Sequence, residues 1–318
     1  QRAKAAGVID EVVPADQLIE AARQWVLNAK DADIVKPWDQ KGYKMPGGTP
    51  YHPAGFMTFV GASAMVNGKT QGVYPAAKAL LSAVYEGALV PFDTALKIEA
   101  RWFTNVLLNP SSSAMIRSLF INKEALEKGA NRPAVADQRV QKVGVLGAGM
   151  MGAGIAYVSA LAGIEVVLID RDQAAADKGK SYAEGILDKG IQRRKVTPEK
   201  KAEVLARITA TPDLSALKGC DLIVEAVFED PGVKAEMTQK VEAIIGGDCI
   251  FATNTSTLPI TGLAKAVKQQ DKFIGLHFFS PAHIMKLLEI VRGKATAKDV
   301  LATTMQLAKK IRKLGVVS

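Results

Sequence analysis

The chain has 318 residues, 48% hydrophobic and 23% charged, with a formal net charge of +9. That length suits about two domains, and that apolar share excludes a disordered chain. No apolar run stays free of Gly, Glu or Lys long enough to span a bilayer. The basic clusters Arg193-Arg194-Lys195, Lys200-Lys201 and Lys309-Lys310 carry no interleaved aromatics or nucleic-acid motif and read as solvated helix faces.

In chain order, residues 8–13 read as a short strand ending at Pro14. Asp16 then caps a helix with Leu18, Ile19, Ala22, Trp25, Val26 and Ala29 on its apolar face. The polar segment 31–50, with Pro37, Pro46, Gly47 and Gly48, reads as a linker, and His52 stands alone beside it. Helices are predicted over 75–89, over 93–109, and from Ser112 or Ser113 to Gly129. Their aromatic stripe Trp102, Phe103 and Phe120 reads as packing between helices. A second linker covers 131–138, which places a mainly helical segment at 1–138 and a second domain at 139–318.

Beyond the linker, strands are predicted near 142–146, 164–169, 207–211, 221–227, 249–253, 272–278 and 286–291, with helices between most of them. This pattern predicts an α/β fold with a doubly wound, mostly parallel sheet. Cys220 and Cys249 have no metal-ligand spacing. They read as buried structural thiols of a reduced, intracellular protein.

The first of these strands runs into Gly147-Ala148-Gly149-Met150-Met151-Gly152, a G-x-G-x-x-G turn that opens a helix. Gly147 permits the tight turn, Gly149 lets a pyrophosphate approach the backbone, and Gly152 lets the helix pack closely on the strand. Asp170 ends the next strand, at about the 20-residue distance expected of an acid that binds a ribose 2′-OH. A structural βαβ turn without a ligand is the alternative reading.

Ligands of an open α/β sheet bind beyond the carboxyl ends of its strands. Three polar clusters fall there: Glu229 with Lys234 one helical turn on, Asn254-Thr255-Ser256, and His277 ahead of Ser280-Pro281. Glu289 interrupts the apolar run 287–291, where a carboxylate is costly unless paired. A turn through 281–285 brings it beside His277, either as a catalytic base and its orienter or as a structural hydrogen bond. His283, in that turn, reads as structural.

Five ordered motifs resemble the NAD-binding domain of L-3-hydroxyacyl-CoA dehydrogenases over about 140–318. They are the glycine turn, Val224-Glu225-Ala226-Val227-Phe228-Glu229-Asp230, Asn254-Thr255-Ser256-Thr257-Leu258, Gly275-Leu276-His277-Phe278-Phe279-Ser280-Pro281, and Lys286-Leu287-Leu288-Glu289-Ile290-Val291. The resemblance implies oxidation of an L-3-hydroxyacyl-CoA to the 3-ketoacyl-CoA with NAD. It implies His277 as general base or acid with Glu289 as partner, and Ser256 at the substrate. It further implies Gly147, Gly149, Met151, Gly152, Asp170, Glu229, Lys234, Asn254 and Ser280 at the cofactor, and no metal. Ser280 departs from the family, many of whose members have Asn there.

Residues 1–30 resemble the closing strand and helix of a crotonase-type hydratase/isomerase domain, and 31–138 its helical connection to the dehydrogenase. Together with the start at Gln1 and the strand-like end 314–318, this implies a fragment of a multifunctional fatty-acid β-oxidation enzyme, itself poorly active. The implied setting is the bacterial cytoplasm, with peroxisome or mitochondrion as alternatives. An acyl-CoA is the implied small partner, and a homo-oligomer or a thiolase complex the implied assembly. The rival readings are another Rossmann hydroxy-acid dehydrogenase and a non-catalytic NAD-binding or assembly module.

Overall fold

The apolar runs of the second half of the chain can bury both faces only inside a sheet covered on two sides. In the computed structural model, which describes residues 1–5 and 8–318, they do so. Ala6 and Gly7 lie outside the described residues. The chain divides into two units, Gln1–Ile116 and Arg117–Ser318.

The first unit holds helices α1 (Leu18–Asn28), α2 (Pro53–Thr70), α3 (Pro75–Gly87), α4 (Phe92–Leu108) and α5 (Pro110–Ile116). The strand expected over 8–13 is not formed. Among the described residues this unit has no strand to pair with it, and Val8, Ile9 and Val12 stay exposed. Asp16 lies within a 3-10 turn, Ala15–Gln17, and caps nothing. Helix α2 was not predicted, although His52 marks its start: its Nδ1 accepts the Ala54 N–H at 3.3 Å, and Pro53 takes the first helical position. Helices α3 and α4 pack together, and Glu86 accepts from Trp102 Nε1 at 2.8 Å and from Arg101. Neighbouring helical residues point about 100° apart, so turning Trp102 inward leaves Phe103 65% exposed. Phe120, also exposed, falls in the π-helical stretch Arg117–Asn122, where the wider turn breaks the apolar phase. The expected aromatic packing is therefore absent.

The second unit is built on eight strands: β1 (Lys142–Leu146), β2 (Glu165–Ile169), β3 (Ile208–Thr211), β4 (Leu222–Glu225), β5 (Ile250–Thr253), β6 (Phe273–Phe278), β7 (Leu287–Arg292) and β8 (Leu314–Val317). Their order is β3-β2-β1-β4-β5-β6-β7-β8. The first six are parallel, β7 runs antiparallel to β6, and β8 is parallel to β7. The expected doubly wound sheet is thus present, with its switch point between β1 and β4.

Side chains alternate across each strand, so β1 sends Val143 and Val145 to one face and Leu146 to the other. The first face packs against α6 (Met150–Leu161), α7 (Gln173–Gln192), α8 (Pro198–Ala206) and, through Val300 and Leu307, α10 (Lys298–Lys310). The second packs against α9 (Pro231–Glu242) through Val241 and against Ile260–Leu263. The sequence boundary at 138/139 differs from the contact boundary at 116/117. Lys123–Glu127 packs on β8, and the Gln138 N–H donates to Thr303 Oγ1 at 2.9 Å, so this stretch groups with the sheet.

Candidate active site

The glycine turn has the geometry its spacing predicts. Gly147 has φ +94°, a conformation costly for any residue with a Cβ, and its N–H donates to the Ile169 carbonyl at 2.8 Å. A Cβ on Gly152 would stand 1.7 Å from the Gly147 carbonyl oxygen, so this glycine alone lets α6 sit against the turn. A Cβ on Gly149 would meet nothing within 4 Å, and that side of the turn is open. The first-turn amides of α6, including that of Met151, lack intrahelical acceptors and offer donors to an anion. The Met151 side chain is half-buried against the core, so this residue can serve a ligand through its backbone.

Asp170, at the end of β2, closes the turn from the other side. Its Oδ2 accepts the Ala148 N–H at 2.7 Å and its Oδ1 the Arg171 N–H at 2.7 Å. Arg171 is 85% exposed and turns to Asp172, 3.1 Å away. The turn, the open face at Gly149 and the acid at the β2 end together fit a dinucleotide with a free ribose hydroxyl.

Across the switch point, polar groups line the ends of β4 and β5. Glu229 accepts from the Thr255 hydroxyl and from the Ser256 N–H at 3.1 Å, and pairs with Lys234 at 3.1 Å. Burial pushes the Glu229 carboxyl up, but Thr255, Lys234 and the Ser256 amide outweigh it and hold the group below the usual carboxylate range. Lys234 is turned inward. Its side chain is 3% exposed, and its ammonium lies 2.8 and 3.0 Å from the two oxygens of Glu225, besides its bond to Glu229. These contacts engage its three protons with carboxylates of the chain itself.

Glu225, 1% exposed, was missed as a site residue. Its Oε1 also accepts the Val227 N–H at 2.8 Å, and its Oε2 the Thr253 hydroxyl at 2.7 Å. The signal was available. A carboxylate within an apolar strand demands a partner, the same argument that singles out Glu289.

Antiparallel pairing places His277 on β6 directly opposite Glu289 on β7. His277 Nδ1 is 2.7 Å from Glu289 Oε2, and its ring packs on Phe279 with centroids 4.5 Å apart. Nδ1 is thus engaged and Nε2 is the nitrogen left for a ligand. Asn254 reaches the same strand: its Oδ1 accepts the Phe278 N–H at 2.8 Å, while its own N–H donates to the Glu225 carbonyl at 2.7 Å. The Asn254 amide nitrogen and the exposed Ser256 hydroxyl remain available. Ser280 is exposed at the end of the same edge. His283 meets the Tyr182 hydroxyl at 3.3 Å and packs edge-on against Tyr157 and Tyr182. Its place is in the packing of the β6–β7 turn on α6 and α7. Burial pushes the Cys220 and Cys249 thiols up to about 11 and about 12, in keeping with inert structural cysteines. Among the described residues no His, Cys, Asp and Glu cluster could hold a metal, and no helix is long and apolar enough to cross a membrane.

A 3-2-1-4-5-6 sheet with a glycine turn at its centre places this unit in the dinucleotide-binding Rossmann class, with a histidine–carboxylate pair at its carboxyl edge. Residues 142–318 match the family described as 3-hydroxyacyl-CoA dehydrogenase, NAD binding domain, and the chain belongs to that family. The fatty acid oxidation complex subunit alpha of Acinetobacter baylyi is 37% identical over 313 residues, covering 98% of this chain and 43% of that protein. The chain therefore spans less than half the length of the curated relatives it matches. Among solved structures, (S)-3-hydroxybutyryl-CoA dehydrogenase from Ralstonia eutropha is 37% identical with a TM-score of 0.55, over 56% of this chain and 63% of that one. The dehydrogenase part of multifunctional enzyme 1 from C. elegans is 29% identical with a TM-score of 0.54, over 63% of this chain and 48% of that one.

Proposed function

We propose that this chain is part of a bifunctional β-oxidation enzyme and carries its dehydrogenase chemistry, the oxidation of an L-3-hydroxyacyl-CoA to the 3-ketoacyl-CoA. The observation that carries the reading is the 2.7 Å pair of His277 and Glu289 at the edge of the cofactor sheet. Glu289 holds a proton on Nδ1, which leaves Nε2 as the lone-pair nitrogen that takes the proton of the substrate hydroxyl. Bound NAD supplies the acceptor for the hydride from the same substrate carbon. The O–H and C–H bonds break and the carbonyl forms, leaving His277 as an imidazolium facing the Glu289 carboxylate. The Asn254 amide and the Ser256 hydroxyl hold the substrate oxygen near Nε2. Gly147, Gly149, Gly152 and the Met151 amide receive the pyrophosphate, Asp170 the adenosine ribose, and Glu229 the nicotinamide half, with Ser280 beside it.

The division of the chain into a hydratase-like tail with its helical connection, 1–138, and the dehydrogenase part, 139–318, belongs to the same proposal. So do the bacterial cytoplasm as its setting and assembly as a homo-oligomer or with a thiolase. The names of the bacterial relatives support this reading. The test is His277→Ala in the full-length parent, assayed as reduction of acetoacetyl-CoA by NADH. The rate falls by about 10²–10⁴ with NADH affinity unchanged. Near-normal turnover would mean that the histidine is structural.

A further inference from the structure

Glu225 is the most deeply buried carboxylate of the site, and no step of the proposed chemistry uses it. Its burial is compensated four times over, by two protons of Lys234, the Val227 N–H and the Thr253 hydroxyl. These partners come from three elements: the loop after β4, the end of β5, and helix α9. The third proton of Lys234 goes to Glu229, which in turn holds Thr255 and Ser256. The Glu225 backbone carbonyl takes the Asn254 N–H. A chain of charge-assisted bonds therefore runs from a side chain inside the sheet to the two loops beyond β4 and β5.

We propose that Glu225 is a positioning residue for the nicotinamide half of the dinucleotide, acting through Lys234 to fix Glu229 and the Asn254–Ser256 loop. The inference rests on the dehydrogenase reading above. In this fold the two halves of a dinucleotide lie on either side of the switch point. The adenosine half rests on the glycine turn and Asp170, which share no side-chain hydrogen bond with the Glu225 chain, although Gly147 packs on the Ala226–Val227 backbone. The nicotinamide half rests on the loops that chain holds. Lys234 has a part that does not require it to touch the cofactor: paired twice to Glu225, it can point only its remaining proton at Glu229. Without Glu225, the buried ammonium draws on Glu229 alone and pulls it inward, away from the ligand face.

The experiment measures two affinities on the 318-residue chain, for NADH and for ADP-ribose, which lacks the nicotinamide. Glu225→Gln weakens NADH about tenfold, as expected for displacing one charged acceptor, and leaves ADP-ribose within about twofold. Lys234→Met does the same, and the double variant is no worse than either single one, because both act through one relay. Thr253→Val, which keeps every charge, is the milder probe should Glu225→Gln fail to fold. It gives a smaller loss, about threefold, of NADH binding alone. Equal losses of both ligands would make Glu225 merely structural, and additive effects of the two single variants would break the relay; either overturns the proposal. If the wild-type chain binds neither ligand, the dinucleotide reading itself fails and takes this inference with it. Wild-type binding of ADP-ribose with unchanged NADH affinity in every variant refutes Glu225 alone.

Discussion

Gly149→Ala separates binding from folding. The residue sits at φ −64°, where alanine is at ease, and its new methyl would meet no protein atom within 4 Å. The folded state thus loses nothing, while the unfolded chain loses freedom, so stability holds or rises by about 0.4–1 kcal/mol. The ligand meets the methyl instead. If the pyrophosphate approaches the backbone at Gly149, the methyl pushes it off the α6 amides and removes at least one hydrogen bond to a charged group, worth about 1.5–3 kcal/mol. That corresponds to an NADH affinity about 10- to 150-fold weaker. Gly152→Ala is the contrast, because its methyl would lie 1.7 Å from the Gly147 oxygen and the backbone must shift. Overpacking of this kind costs about 1–3 kcal/mol, so this variant lowers Tm and weakens binding together. Fluorescence titration of NADH alongside thermal unfolding reads both quantities. A Gly149→Ala chain that binds NADH as wild type does would refute the placement of the pyrophosphate.

Calorimetric titration should find NADP bound at least tenfold more weakly than NAD, since Asp170 repels a 2′-phosphate and the exposed Arg171 is paired with Asp172. The Glu229 carboxyl, depressed in the folded state, stabilises the fold above its unfolded value of about 4.3. That contribution is lost as pH falls through the lower folded value, and Thr255→Val moves the loss to higher pH, read as the acid limb of a stability profile. Cys220 and Cys249, raised to about 11 and about 12 by burial, should resist a thiol reagent at pH 8 until denaturant is added. Rapid labelling of the native chain would mean that the amino ends of the central strands β4 and β5, where they lie, open readily.

The sheet was legible because burial on two faces leaves an unmistakable trace: runs such as 143–146 and 222–224 have no polar face to offer. The His277–Glu289 pair was legible for the converse reason, since a charge in such a run needs an explanation. Glu225 obeyed the same logic and was overlooked because the motif around it drew attention to Glu229. For Lys234, spacing gives its turn of helix but not that its ammonium points inward to Glu225. The first half of the chain was less legible. Residues 8–13 have strand composition, but a strand exists only with a neighbour, and α2 hid behind a His-Pro start where Ser or Asp is the usual cap. Phe103 and Phe120 were read as packed on composition, whereas the phase of α4 and the π turn decide their exposure.

The histidine and its carboxylate are held by ladder register, as cross-strand neighbours on β6 and β7, rather than by the turn that joins those strands. That turn has anchors of its own, with Ala282 buried, His283 packed on Tyr157 and Tyr182, and the Ala282 and Met285 carbonyls held by Lys313. The facing of imidazole and carboxylate depends on the ladder and not on these contacts. A single deletion inside either strand would rotate one member of the pair to the far side of the sheet. The proton chemistry of this site is therefore written into strand pairing, and its rim into the packing of the turn on α6 and α7.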